Sequence, residues 1–466
     1  MSETFQIISP GDGSVYAERA YVSRDDALAA VERAAKAQRA WRATSLDERQ
    51  RILSDAVDRI VAERDDLAEE LARSMGRPVS QGGGEVGGFE ERARYMIDAA
   101  SSALADLVPE AKPGFRRFIR REPVGVVFTI APWNFPYMTA VNSVWPALVA
   151  GNAVILKHAQ QTVLAGERMA RVLAEAGLPE DVFQAVHMDH DTAGAVMQSE
   201  PVRMICFTGS VRGGRAVQHA VSGASGFPGT GLELGGKDPA YVRADADLDH
   251  AAAGIADGGF FNAGQSCCSI ERVYVHESVY DDFLDRLVAE ATGLRLGDPL
   301  DPATTLGPLV KADAAEFVRG QVRDAVAAGA RALIDPSAFP ADGGGYLAPQ
   351  IVVDVDHSMR LMTEESFGPV VGVMKVRSDD EAVELMNDSE YGLTAAIWTA
   401  DTEAAEALGD RIETGTLYMN RCDYLDPALA WTGVKHTGRG CTLSVVGYEH
   451  LTRPKSFHLR TRTREE

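Results

Sequence analysis

No apolar run in this chain of 466 residues approaches the ~18 that a membrane-spanning helix needs. The longest, Val124 to Pro136, is broken by Gly125, Thr129, Pro132 and Asn134 and reads as a buried strand entering a loop. Met1 to Pro10 has neither a basic leader nor an apolar core, so no secretory signal is expected. Cysteine is scarce: the five present are irregularly spaced and odd in number, which excludes a disulfide framework and points to a reducing cytoplasm. The ten histidines include no His-Glu-x-x-His, and Cys267 and Cys268 are adjacent rather than spaced as Cys-x-x-Cys, so no metal is expected. The Gly-x-Ser-x-Gly elbow of a serine hydrolase is missing as well. Positive charge is outweighed, with 46 basic against 68 acidic residues and a net charge of −22. That balance opposes nucleic acid or an anionic membrane as partner and reads as a solubility feature.

What is present suits a large α/β protein. The length exceeds that at which one core keeps growing, so two or three domains are expected. From Asp25 to Met75, Leu28, Val31, Ala35, Trp41, Ile52, Val57, Ile60, Leu67 and Leu71 recur at helical spacing, which predicts two or three amphipathic helices. Beyond Glu122 short β-branched runs alternate with helical stretches: Val124–Ile130, Ala153–Leu156, a helix over Thr162–Ala176, Val182–Val186 and Met204–Phe207. A second such block runs from Leu232 to Leu417, with strands at Ala240–Val242, Arg272–Val275, Gly368–Val376 and Ala395–Trp398, and helices at Ser278–Thr292 and Ala314–Gly329. This alternation is the pattern of parallel βαβ units. The strand-like tail Ser456–Leu459 is too short for a domain and is expected to join another sheet. Gln81–Gly88 is glycine-rich, but no Gly-Lys-Ser/Thr follows and no strand precedes it, so it reads as a flexible connection.

Two stretches carry the chemistry. Leu232-Glu233-Leu234-Gly235-Gly236-Lys237 and Gly264-Gln265-Ser266-Cys267-Cys268 place a carboxylate and a thiol in separate glycine-containing turns. A thiolate attacks a carbonyl, and a nearby carboxylate takes the thiol proton or activates the water that later releases the acyl group. Structural cysteines usually lie in apolar runs, as Cys206 does in Met204-Ile205-Cys206-Phe207; Cys267 does not. In Pro132-Trp133-Asn134-Phe135-Pro136 the Asn134 amide either donates to an oxyanion or satisfies turn backbone groups. Phe207-Thr208-Gly209-Ser210-Val211-Arg212-Gly213-Gly214 follows a strand and opens a helix, so its free N–H groups could face a pyrophosphate, although the Gly-x-Gly-x-x-Gly order is missing. Lys157, just past a strand, is either a cofactor contact or a solvated lysine.

Together, the segments at 132–136, 207–214, 232–237, 264–268 and 364–370 resemble, in order and spacing, the signature series of the aldehyde dehydrogenase superfamily, over nearly the whole chain. The resemblance implies two Rossmann-like parallel-sheet domains plus a small β oligomerisation element. Residues 1–105 with 124–233 would form the dinucleotide-binding domain, 234–445 the catalytic domain, and 106–123 with 446–466 the oligomerisation arm of a homodimer or homotetramer. It implies oxidation of a small-molecule aldehyde to a carboxylic acid with NAD(P), through a thiohemiacetal and a thioester on Cys267. Glu233 would be the base and Asn134 the oxyanion donor. The implied cofactor set is Lys157, Gln160, Thr208, Gly209, Ser210, Leu234, Glu365 and Phe367, with Glu365 on the nicotinamide ribose and Phe367 beside the nicotinamide. Where the family usually reads Lys-Pro-Ala/Ser-Glu, this chain has Lys157-His158-Ala159-Gln160, so the acid that repels a 2′-phosphate is replaced by neutral Gln160. No arginine stands beside it to favour the phosphate; NAD is expected, with NADP admitted. Cys268 reads as packing or redox-sensitive. Arg421 and Asp423, in a departure from the commoner carboxy-terminal pattern, either touch a polar substrate or form a loop salt bridge. Two other readings are a coenzyme-A-acylating dehydrogenase, disfavoured by Glu233, and a non-catalytic nucleotide-binding or structural protein that kept the fold. A cofactor-independent thiol hydrolase is a further one.

Overall fold

The helical spacing near the amino terminus is realised as Arg24–Trp41, Leu46–Ala62 and Arg64–Met75 in a computed structural model that describes residues 3–462. Residues 1–2 and 463–466, the ends of the expected 1–105 and 446–466 segments, lie outside the described residues. Ser23 and Ser45 cap the first two helices by accepting the N–H of Asp26 and Glu48. Their inner faces bury Val31, Trp41, Leu53 and Ile60.

The glycine-rich stretch corrects the expectation of a flexible connection, because Gln81–Gly88 lies inside the helix Val79–Ala103. Glycine costs a helix up to about 1 kcal/mol per residue, so a tertiary contact must compensate. A Cβ at Gly82 would sit 2.5 Å from Ala68 Cα, and one at Gly88 would sit 2.2 Å from Met138 Sδ. At Gly82 only glycine lets this helix approach the backbone of Arg64–Met75 so closely, whereas at Gly88 the flexible Met138 side chain fills the space that a Cβ would take.

Two parallel sheets organise the rest. The first runs, in spatial order, Gly438–Arg439, Gly229–Glu233, Val202–Thr208, Val126–Ala131, Ala153–His158 and Phe183–Ala185, antiparallel only at the first pair. The chain lays strands outward from Val126–Ala131 on one side and then returns to lay Val202–Thr208 on the other. The switch point therefore falls between these two strands, where the turns carrying Asn134 and Gly209 diverge. The second sheet runs Arg331–Ala332, Gln350–Val353, Val370–Val376, Ile270–His276, Asp238–Val242, Thr394–Trp398 and Thr416–Met419, again antiparallel only at its first pair.

Only Leu234–Lys237 separates the last residue of Gly229–Glu233 from the first of Asp238–Val242. So short a connection brings the carboxyl edge of the first sheet to the amino edge of the second, and the motif turns meet there. Gly438–Arg439 pairs with Gly229–Glu233, and Trp431, Leu443 and Tyr448 are buried in the core of the first sheet. The tail Thr452–Arg460 pairs antiparallel with Phe115–Pro123 of the same chain, as a two-stranded ribbon in which Phe118 and Phe457 stack with ring centroids 4.4 Å apart. Among the described residues no helix is long and apolar enough to cross a membrane.

Candidate active site

The turn bearing Cys267 follows a strained segment. Asn262, Ala263 and Gly264 all take left-handed conformations (φ 51°, 55° and 68°), which costs about 1 kcal/mol or more at Ala263. Buried hydrogen bonds hold it: Gln265 Nε2 donates to the Asn262 carbonyl, and Gln265 Oε1 accepts the N–H of Val310. Beyond it, Gly236 lies so close to the Cys267 carbonyl that a Cβ there would be 2.3 Å from the oxygen, which explains the second glycine of the Glu233 motif.

Asn134 joins this turn directly. Its Nδ2 donates to the Gln265 carbonyl at 3.1 Å, and the side chain is 5 % exposed. Its own carbonyl accepts from Arg77 and from Asn262 Nδ2. Arg77 is wholly buried and paired with Glu85, whose Oε1 accepts the N–H of Tyr137 (2.9 Å) and Met138 (3.0 Å) at the start of Pro136–Val149. Neither partner of this ion pair stood out in the sequence, and Glu85 lies in the glycine-rich stretch read as a loop.

Glu233 ends its strand with both oxygens engaged, accepting from Thr442 Oγ1 at 2.5 Å and Thr208 Oγ1 at 3.1 Å. Burial raises its pKa, against the opposing effect of these hydroxyls and of Arg92. Thr208, Glu233 and Cys267 line one cavity of about 320 Å³. Arg92, Asn142 and Asp423 line it too.

Asp423 corrects the expectation of a loop salt bridge. Arg421 instead stacks over the Tyr424 ring, 3.5 Å from its centroid, and Asp423 turns inward in a left-handed conformation (φ 46°). Its Oδ1 accepts from Cys268 Sγ at 2.8 Å and Ser266 Oγ at 3.2 Å, so one carboxylate holds the residues on either side of Cys267. Burial pushes Asp423 up to about 7, although the Cys268 and Ser266 donors oppose that rise. Cys268, 2 % exposed, is kept well above the usual thiol value by its hydrogen bond to Cys267, by burial and by Asp423. Cys206 is a buried thiol pushed up to about 12.

The remaining motif residues fall along the carboxyl edge of the first sheet and the facing loop. Ser210 caps Val211–Ser222, accepting the N–H of Gly213 at 3.1 Å. Gly209 lies against the Phe207 ring, and buried Leu234 fills the space left by Gly214. Lys157 is 9 % exposed, forms no ion pair among the described residues, and is lowered in pKa by burial, which removes the solvated-lysine alternative. Gln160 is exposed and reaches the Gln6 carbonyl at 3.4 Å. Glu365 packs against Gly235 and accepts the N–H of Gly236 at 3.1 Å; burial, then the charge of Glu271, pushes it up to about 8. Phe367 is left-handed (φ 53°) and meets Trp133 edge-on at 5.7 Å. Buried Glu271, paired with Lys237, accepts the N–H of Ser366 and Phe367 and so fixes this loop.

A thiol and a half-buried carboxylate that line one cavity, with the motif turns at the switch point of a parallel sheet, form the arrangement of a nucleotide-dependent α/β enzyme. Comparison gives the family: residues 1–457 match the aldehyde dehydrogenase family model, and the chain belongs to that family. It is 35 % identical over 451 residues to succinate-semialdehyde dehydrogenase (NADP+) 1 of Mycobacterium bovis, covering 96 % of this chain and 98 % of the relative. Among solved structures, the NAD-dependent aldehyde dehydrogenase from Sinorhizobium meliloti superposes with a TM-score of 0.94 at 34 % identity, covering 100 % of this chain and 92 % of that one. Succinate-semialdehyde dehydrogenase from Burkholderia pseudomallei superposes with a TM-score of 0.93 at 30 % identity, covering 98 % and 95 %. The fold is the α/β fold of this family, and the protein is an NAD(P)-dependent aldehyde dehydrogenase.

Proposed function

We propose that Cys267 is the nucleophile that carries the aldehyde through oxidation, with Glu233 as base and Asn134 as oxyanion donor. The observation that carries this is the shared cavity wall of Cys267 and Glu233, with Asn134 hydrogen-bonded into the same turn. The residues present fit a nicotinamide dinucleotide: Lys157 is a buried cation without a counter-ion among the described residues, and Glu365 is a half-buried carboxylate set against glycine backbone. When bound, the dinucleotide supplies the hydride acceptor. Sulfur adds to the aldehyde carbon, and the amide of Asn134, with the Cys267 N–H, stabilises the oxygen as it gains charge. After hydride loss leaves a thioester on Cys267, Glu233 takes a proton from water, which attacks the acyl carbon and frees the acid and the thiol. Burial brings Glu233 nearer neutrality and makes it a better proton acceptor than an exposed glutamate.

In this reading residues 1–105 and 124–233 bind the dinucleotide through Lys157, Thr208, Gly209 and Ser210, while 234–445 supply the nucleophile and the facing cofactor contacts Leu234, Glu365 and Phe367. Neutral Gln160 offers no charge against a 2′-phosphate, so the site takes NAD and also admits NADP. In the ribbon, Thr452–Arg460 is mostly exposed and Phe115–Pro123 mostly half-buried; two strands alone are marginal, which supports pairing with a second copy in a dimer or tetramer. Five free cysteines fit a cytoplasmic setting. The test is formation of NADH and NADPH by wild type and Cys267→Ala across a panel of aldehydes. Turnover by wild type alone is expected; turnover by the variant would move the nucleophile elsewhere.

A further inference from the structure

The cavity that holds Cys267 contains one basic side chain among its lining residues, Arg92, and nothing in the oxidation chemistry requires it. Arg92 projects from Val79–Ala103 and is 7 % exposed, yet among the described residues it forms no ion pair. Its hydrogen bonds with protein run through Nη1 alone, to the Met138 carbonyl at 2.6 Å and to Asn142 Oδ1 at 3.5 Å. Beside it, Asn142 is 2 % exposed; its Nδ2 faces Glu233, whose pKa it helps to lower, but has no acceptor within hydrogen-bond distance among the described residues. Buried cations are ordinarily paired, and a buried donor left without an acceptor is costly. Arg92 and Asn142 thus present unshared N–H groups side by side on one wall.

The acids on the same wall do not fill this need. Glu85 is held by Arg77, Glu91 accepts from Tyr424, Glu233 from Thr208 and Thr442, and Asp423 from Cys268 and Ser266. Asp257 is exposed to solvent, and local desolvation raises its pKa. A ligand anion would complete the arrangement: a carboxylate offers planar acceptors that match a guanidinium edge and an amide. A cavity of about 320 Å³ suits a short chain.

We propose that Arg92 and Asn142 form the receptor for a carboxylate at the far end of the substrate, so that the cavity selects short aldehydes bearing a terminal carboxylate. This deepens the proposed oxidation at Cys267 and rests on it. Arg92 is a specificity-determining residue in this scheme, and Asn142 orients it through Oδ1 while donating through Nδ2.

The test compares kcat/KM for succinate semialdehyde, butanal and 4-aminobutanal in wild type, Arg92→Gln and Asn142→Asp. Wild type should prefer the carboxylated aldehyde by roughly 100-fold over butanal, and Arg92→Gln should narrow that ratio by roughly 30-fold, the range of a charge-assisted hydrogen bond. Asn142→Asp, which sets a fixed carboxylate against Arg92, should narrow it as well. A second measurement uses only wild type: succinate, which is not oxidised, should slow alkylation of Cys267 by iodoacetamide, whereas succinamide should not. Equal losses on charged and neutral aldehydes would overturn the proposal and place Arg92 in control of Glu233. A preference for butanal or 4-aminobutanal, or no protection by succinate, would also overturn it. Failure to oxidise any aldehyde with either cofactor would strike the underlying reading instead.

Discussion

Replacing Glu85 by Gln tests how the oxyanion turn is held. The substitution keeps the shape of the side chain but leaves the Arg77 guanidinium, wholly buried, without its counter-charge. The glutamine's amide oxygen can still stand for Oε1 and accept the N–H groups of Tyr137 and Met138, but the amide nitrogen then faces Arg77, donor against donor. Removing one partner of a buried pair costs about 3–5 kcal/mol, because the remaining charge stays desolvated. The loss should be read from the urea midpoint of wild type and variant under conditions where refolding is complete. Activity should fall as well. Arg77 anchors the Asn134 carbonyl, and a loosening worth about 1.4 kcal/mol at the barrier lowers kcat by about tenfold. The double variant Arg77→Met with Glu85→Met should recover most of the stability, since no charge is then stranded, but not the activity. A Glu85→Gln protein within about 1 kcal/mol of wild type would refute the assignment of this pair as the brace of the turn.

Two further substitutions probe the electrostatics. Asp423 has a pKa of about 7 in the folded chain against an ordinary 3.8, so between these values the native state holds a proton that the unfolded chain has lost. Stability from this group is therefore present at acid pH and falls as pH rises through about 7, by up to about 4 kcal/mol. The stability of wild type relative to Asp423→Asn should decline by about 3 kcal/mol from pH 5 to pH 8 in urea titrations, since the loss accumulates only up to the folded pKa; a flat difference would place the Asp423 proton elsewhere. Glu365→Gln should raise the KM of the cofactor by roughly tenfold while leaving Cys267 alkylation near the wild-type rate, since Glu365 makes no hydrogen bond to the Cys267 turn. An unchanged cofactor KM would remove Glu365 from the ribose site.

Much of the architecture was legible because its signals are local. Strands such as Val126–Ala131 and Ala153–His158 are continuous apolar runs, as buried parallel strands must be, and the motif turns lie at their ends. Cys267, Glu233 and Asn134 could be singled out for the same reason: each sits in a short turn whose chemistry shows in its neighbours. The helix Val79–Ala103 was not legible, because its glycines oppose local propensity and are explained only by Ala68 and Met138, which come from other helices. Arg92 looks like any charged residue of an amphipathic helix until the helix is docked, and only then does its burial against Met138 and Asn142 become apparent. Asp423 misled for a related reason. Proximity to Arg421 in sequence suggested an ion pair, whereas the left-handed backbone at Asn420 and Asp423 turns the carboxylate toward Ser266 and Cys268.

The central claim is that the acyl group rides on Cys267 and leaves through Glu233. Glu233→Gln mixed with NAD and a molar excess of aldehyde, quenched in acid and digested, should show the acyl mass on the peptide bearing Cys267 and Cys268, with fragment ions placing it on Cys267. An adduct on Cys268, or a variant that turns over at the wild-type rate with no adduct, would contradict the account.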